Sequence, residues 1–134
     1  MPIQSEIKIN RTDLARVYKN LGGEAALQKL LEDLYQRFSK DLMIGFFFDG
    51  KDLNHIAGKQ KEFLMRAMGA TPSYSGKPPA QAHTQLPPIL PGHFDRRLKI
   101  LRETLQDHQL SPEDIETWIQ FESTFRDAVQ VKST

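Results

Sequence analysis

DLNHIAGKQKEFLMRAMG (residues 52–69) and GKPPAQAH (residues 76–83) are the two stretches on which the fold turns. In the first, Ile56, Gln60, Phe63 and Leu64 recur at spacings of three and four, one face of an amphipathic helix. Asp52 is suited to cap that helix, and Gly69 falls in the C′ place after Met68. Gln60 is the polar residue inside an otherwise apolar stripe. The second stretch predicts a short helix from about Pro78, since proline is tolerated in a first helical turn. It cannot reach far beyond Gln85, because Pro87, Pro88 and Pro91 interrupt helical hydrogen bonding there. His83 therefore comes late in a short helix, with little bulk beside it at Ala80 and Ala82.

Working outward, residues 1–11 read as a loosely held arm, and residues 12–134 as one domain. Leu14, Val17, Tyr18 and Leu21 are helically spaced, with Thr12 as candidate N-cap. Gly22–Gly23 ends that helix. A second helix over about 24–38 carries Leu27, Leu30, Leu31, Leu34, Tyr35 and Phe38 on one broad face. Tyr35, like Gln60, is a polar intrusion among apolar residues. Residues 39–50 form a corner holding Phe46, Phe47 and Phe48, and residues 70–77 are rich in turn formers. A helix from His93 to about Asp107 buries Phe94, Leu98, Leu101 and Leu105. The last begins at Ser111-Pro112-Glu113-Asp114, an N-cap, a first-turn proline and two acidic residues. Trp118, Phe121, Phe125 and Ala128 line its inner face. No strand pattern appears, so the fold class is all-α.

Composition narrows the function. The chain has 134 residues, enough for one domain with a real core. It has no cysteine, which rules out disulfides, thiolate metal sites and c-type haem attachment. Eighteen basic residues against seventeen acidic give +1, no electrostatic case for nucleic acid. No apolar run approaches the ~20 residues of a membrane span. MPIQSEIKIN lacks a signal-peptide apolar region, so a soluble cytoplasmic protein is expected.

A lone histidine facing an apolar wall, with two polar donors opposite, is what a helical protein needs to hold a haem. Four histidines compete for the iron. His108 lies in a polar helix end and reads as solvated. His93 opens a helix and reads as a cap or packing residue, while His55 is near the start of the 52–68 helix. For His83, the Pro79 carbonyl four residues earlier can accept from Nδ1 and fix the tautomer that ligates through Nε2. Taken singly, each feature has a plainer reading: a structural histidine, and Tyr35 and Gln60 bonded to each other or to backbone carbonyls. A buried donor needs a partner, because leaving it unpaired costs about 1–3 kcal/mol. If both instead donate to dioxygen on the iron, each bond contributes about 1.5–3 kcal/mol, roughly one to two powers of ten in ligand escape. The Phe triplet is either core or a haem-facing wall. Lys59 is either solvated or reaches a propionate. Gly58 in mid-helix costs about 1 kcal/mol unless another helix crosses closely there.

Six strings in order, LGG (21–23), EDLYQRF (32–38), FFFDG (46–50), HIAGKQKEF (55–63), GKPPAQAH (76–83) and HFDRRLKIL (93–101), resemble the truncated haemoglobins, most closely group I. The resemblance covers about Leu14 to Val129. It implies a two-over-two helical sandwich around a b-type haem (iron protoporphyrin IX). Within it, His83 matches the proximal ligand, Tyr35 the principal distal donor and Gln60 the second. Phe48 matches the corner phenylalanine, Ile56 the apolar gate, and Lys59 the propionate-side or iron-coordinating position. Phe63, Leu64 and Phe94 complete the candidate haem-binding set. Two features depart from the pattern: LPPILPGHF (86–94) is longer and richer in proline, and Arg97 stands where an apolar residue near the haem is usual. Arg97 is expected either to turn outward while Leu98 and Leu101 pack, or to reach a propionate.

The resemblance implies reversible binding of dioxygen, nitric oxide or carbon monoxide. It also implies nitric oxide dioxygenation, which requires a reductase; storage, transport, sensing and weak peroxidase activity are alternatives. A six-coordinate redox or sensor haem using Lys59 or His55 as second axial ligand is a competing reading. A third is a haem-free interaction module, in which the P-x-x-P spacing at 88–91 docks an SH3-like partner. The basic residues Arg96, Arg97, Lys99 and Arg102 suggest nucleic acid only until Asp95, Glu103 and Asp107 are counted beside them.

Overall fold

The computed structural model describes residues 11–70 and 90–126. Among them are five α-helices, one 3₁₀ turn and no strand: α1 (Arg11–Leu21), α2 (Glu24–Lys40), the 3₁₀ turn Gly45–Phe48, α3 (Leu53–Ala67), α4 (Pro91–Asp107) and α5 (Pro112–Ser123). Helices α2 and α3 pack together, α4 packs on α5, and α2 crosses onto α4, giving the two-over-two sandwich. Residues 1–10 of the arm, the turn-rich residues 71–77, the short helix expected from Pro78 with its His83, and Ala128 lie outside the described residues.

Helix α2 forms the centre because its leucines repeat at helical spacing. Leu27, Leu30, Leu31, Leu34 and Phe38 are all buried there. Opposite them stand Leu64 of α3, Leu101 and Leu105 of α4, and Trp118 of α5, each almost wholly enclosed. Fully burying a side chain of this kind contributes about 1.5–3 kcal/mol. No helix of the described residues is long and apolar enough to cross a membrane.

Caps fall largely where the sequence puts them. The Asp52 carboxylate accepts from the His55 amide, and Ser111 Oγ accepts from the Asp114 amide. Gly69, at φ +83°, ends α3 in the left-handed conformation that favours glycine. Three boundaries differ from expectation. Helix α1 starts at Arg11, so Thr12 lies inside its first turn rather than at the cap. Helix α2 runs two residues further, to Lys40. Helix α4 starts at Pro91, whose fixed φ suits the first helical position. Its N-cap Leu90 has no polar side chain, and the His93 ring substitutes: Nδ1 accepts from the Leu90 amide at 3.1 Å. That is the capping role the sequence suggests for His93.

Two glycines differ in what surrounds them. A Cβ on Gly45 would lie 2.6 Å from the Ser39 carbonyl oxygen, so only glycine lets the corner fold back against the end of α2. A Cβ on Gly58 would meet nothing within 4 Å, so no helix of the described residues crosses closely there.

Asp41 fastens this corner. One carboxylate oxygen accepts from the Met43 and Ile44 amides, the other from the Arg96 guanidinium of α4 at 2.9 and 2.6 Å. The Arg96 bonds hold the Asp41 carboxyl below its ordinary value; partial burial opposes them and the two amides assist. A carboxylate with a depressed folded-state pKa stabilises the fold above its unfolded value of 3.8, and that contribution is lost as pH falls through the lower folded value. Acid unfolding followed by circular dichroism is therefore expected to be steeper below pH about 4 in the wild type than in Asp41→Asn. Equal slopes would remove Asp41 from the acid-sensitive set.

Candidate haem site

Tyr35 and Gln60 come from the two helices that flank the corner, and they meet at a buried ion pair. Tyr35 is 5 % exposed on α2, edge-on to Phe38 at 5.2 Å and to Phe48 at 5.8 Å between ring centroids. Phe48 stacks on Phe38 at 5.9 Å. Above the same Phe38 ring lies the Arg97 guanidinium, 4.8 Å from its centre. Arg97 donates to Glu122 Oε1 at 3.1 Å, and the two side chains are 23 % and 8 % exposed. The second carboxylate oxygen, Oε2, faces Gln60 Nε2 and Trp118 Nε1, both at 3.4 Å. Arg97 and Tyr35 thus rest on the same Phe38 ring, and the guanidinium charge acts on the neighbouring phenol.

The charges here follow from burial. Enclosure pushes the Tyr35 phenol above its ordinary value, and the Arg97 charge only partly offsets this. The phenol therefore keeps its proton at any physiological pH and serves as a hydrogen-bond donor. Burial alone would lower Arg97, but Glu122 and Tyr35 outweigh it and hold the guanidinium above its ordinary value.

Of the other sequence candidates, Leu64 is wholly core. Ile56 and Phe63 are half-buried on the same face of α3 as Gln60, with Phe63 against Phe121 and Phe125 at 6.2 and 5.5 Å. The Phe triplet divides: Phe46 and Phe47 lie against the His93 ring, whereas Phe48 borders Tyr35. Phe94 is buried with the Arg126 guanidinium 4.6 Å from its ring centre. Lys59 lies at the helix surface, its ammonium 3.9 Å from Glu62, and His55 is exposed. His83 falls outside the described residues, as does most of LPPILPGHF.

Two expectations need correction. Arg97 neither turns outward nor stands ready for a propionate; it turns inward and pairs with Glu122. His108 is not simply solvated, because its Nε2 sits 2.8 Å from Asp33 Oδ2. Within the basic cluster, Arg96, Arg97 and Arg102 pair with Asp41, Glu122 and Glu116.

Glu122 is the site residue that sequence reasoning missed. A signal for it exists: Asp114, Trp118 and Glu122 are spaced by four, so both carboxylates share the face of the buried tryptophan. Each meets a cation from another helix, Asp114 with Arg16 Nε at 2.9 Å and Glu122 with Arg97.

A helical sandwich with a tyrosine on its second helix and a glutamine on its third is the frame of a small globin. The model of the bacterial-like globins matches residues 16–131. The chain belongs to that family. Among relatives of this globin, the group 1 truncated haemoglobin GlbN of a Synechocystis species is 31% identical over 105 residues, 76% of this chain and 84% of that protein. The group 1 truncated haemoglobin GlbN of Mycolicibacterium paratuberculosis is 34% identical over 76 residues, 57% of this chain. That match spans 56% of the relative, little more than half its length. Solved structures agree. The truncated haemoglobin of Tetrahymena pyriformis in its Fe(III) form superposes with a TM-score of 0.79 at 26% identity, covering 87% of this chain and 98% of that one. The 2/2 haemoglobin of a Synechococcus species, solved in the cyanomet state with covalently attached haem, gives 0.75 at 27% identity, covering 84% and 96%.

Haem is the cofactor that globin membership implies. The residues present fit such a group. A flat apolar macrocycle needs apolar edges that the protein core leaves partly uncovered, and Phe48, Ile56 and Phe63 are of that kind. A ligand beside it needs neutral donors, which a protonated phenol and a carboxamide supply.

Proposed function

We propose that this globin binds diatomic gases reversibly, dioxygen foremost, at a b-type haem whose iron is held by the His83 imidazole. The observation that carries the reading is the buried, proton-bearing Tyr35 hydroxyl, set beside Phe48 and in one polar cluster with Gln60. When bound, the haem supplies an iron that takes a diatomic ligand and releases it. The chain's part is to hold the group, exclude water and offer protons. Tyr35 Oη is the principal donor to the ligand. Gln60 is the second, because its Nε2 has two hydrogens and Glu122 takes one. Ile56, Phe63 and Leu64 supply the apolar wall, with Phe48 and Phe94 at its ends, and Lys59 reaches a propionate from the helix surface.

Nitric oxide and carbon monoxide are ligands of the same site, and its enzymatic use would be oxidation of nitric oxide to nitrate, with dioxygen supplying both added oxygen atoms and a reductase supplying the electron consumed per nitrate formed. A cytoplasmic location goes with this reading. His55 is exposed and Lys59 lies beside Glu62 at the surface, so neither is placed to serve as a second protein ligand were a haem bound.

Tyr35→Phe tests the proposal by removing one hydroxyl at nearly constant volume. Loss of a bond worth about 1.5–3 kcal/mol predicts roughly ten- to a hundred-fold faster dioxygen release, read by stopped-flow displacement with carbon monoxide. Unaltered release would show that the phenol does not touch the ligand.

A further inference from the structure

The largely enclosed pair Arg97–Glu122 is not needed to hold an apolar macrocycle, yet it stands beside both distal candidates. Its two members contact the two distal candidates separately. Arg97 and Tyr35 are neighbours on the Phe38 ring, at 4.8 Å for the guanidinium and 5.2 Å for the phenol. Glu122 Oε2 faces Gln60 Nε2 at 3.4 Å while Oε1 takes Arg97 at 3.1 Å.

The chemistry of these contacts is directional. A guanidinium has five N–H donors and no acceptor. Beside a guanidinium a phenol oxygen can serve only as acceptor, so the Arg97 charge disfavours an O–H proton turned toward it and favours one turned away. A carboxylate, conversely, only accepts, so it draws the Nε2 side of Gln60 toward itself and sets which way that carboxamide lies. Each member of the ion pair thus fixes the orientation of one donor. Trp118 Nε1, 3.4 Å from Glu122, supports the carboxylate from within α5.

We propose that Arg97 and Glu122 act as a positioning pair for the ligand pocket, Arg97 aiming the Tyr35 hydroxyl proton at the bound gas and Glu122 holding both Arg97 and the Gln60 carboxamide in place. The proposal rests on the reading of Tyr35 as a donor to ligand. It adds that the donor's aim is set from α4 and α5, by side chains that are not themselves donors to the ligand. A single aim gives a single ligand environment; without the pair, the phenol proton and the carboxamide each sample more than one.

The test uses the haem-loaded full chain. The double variant Arg97→Met/Glu122→Met removes both charges at similar volume, which avoids leaving a buried charge unpaired. Glu122→Gln is the second variant, keeping side-chain size while releasing Arg97 from its anchor. Infrared spectra of the ferrous carbonyl forms report the polarity around the ligand independently of turnover. The wild type is expected to give one narrow C–O stretching band, and both variants two or more. Dioxygen release in the double variant should rise at least several-fold, and adding Tyr35→Phe to it should change release by less than it does in the wild type. An unchanged band and unchanged release in both variants, with Tyr35→Phe alone still altering them, would overturn the positioning role and leave the gas-binding reading intact. If Tyr35→Phe alone alters neither, the donor reading fails first and the positioning role falls with it.

Discussion

Replacing Glu122 by alanine is expected to destabilise the fold by about 3 kcal/mol, the low end of the range for breaking a buried ion pair. The reason is the charge it abandons. Arg97 keeps its proton at any accessible pH, its side chain is only 23 % exposed, and the polar neighbour left to it, the Tyr35 phenol, is neutral. The indole N–H of Trp118 and the amide of Gln60 lose an acceptor at the same time. The low end applies because the guanidinium retains some access to water. For a chain of this size the loss corresponds to a fall in Tm on the order of 10 °C. Arg97→Met/Glu122→Met should by contrast stay within about 1 kcal/mol of the wild type, since neither charge is left buried alone. Thermal and urea unfolding, followed by fluorescence of the one tryptophan, which touches Glu122, would measure both. Equal losses in the single and double variants would show that packing, not charge pairing, sets the energetics there.

The helices of this globin were legible because their information is local. Helix α2 repeats leucines at three and four, Asp52 and Ser111 cap as their side chains dictate, and His93 stands where a ring can reach the preceding amide. Tyr35 and Gln60 were legible for a related reason: a polar residue inside an apolar stripe is an anomaly visible within a single helix. The partners of those residues were not. Arg97 looked free to turn outward because its counter-charge lies 25 residues away on another helix, and no spacing rule joins two helices. Glu122 reads as one more surface acid until the Asp114–Trp118–Glu122 spacing is set beside the burial of Trp118. Gly58 shows the same limit: in mid-helix it looks like a glycine that needs a reason, and only the fold shows open space there, while the glycine that a carbonyl crowds is Gly45 at the corner.

The largest effect of all is expected at His83. His83→Ala removes the imidazole proposed to hold the iron. With no cysteine in the chain, no covalent attachment to a thiol can retain the macrocycle in its place. Apolar burial against Phe48, Ile56 and Phe63 would still attract a porphyrin, so the variant should take it up weakly and lose it readily to a competing haem acceptor. The decisive measurement is a haem titration of the purified wild type and His83→Ala chains, followed by absorption spectra of the ferrous and carbonyl forms. The wild type should saturate at one haem per chain, with the single broad visible band of five-coordinate ferrous iron, and His83→Ala should lose that signature. Stoichiometric binding with unchanged spectra in His83→Ala, or no haem uptake by the wild type, would contradict the account.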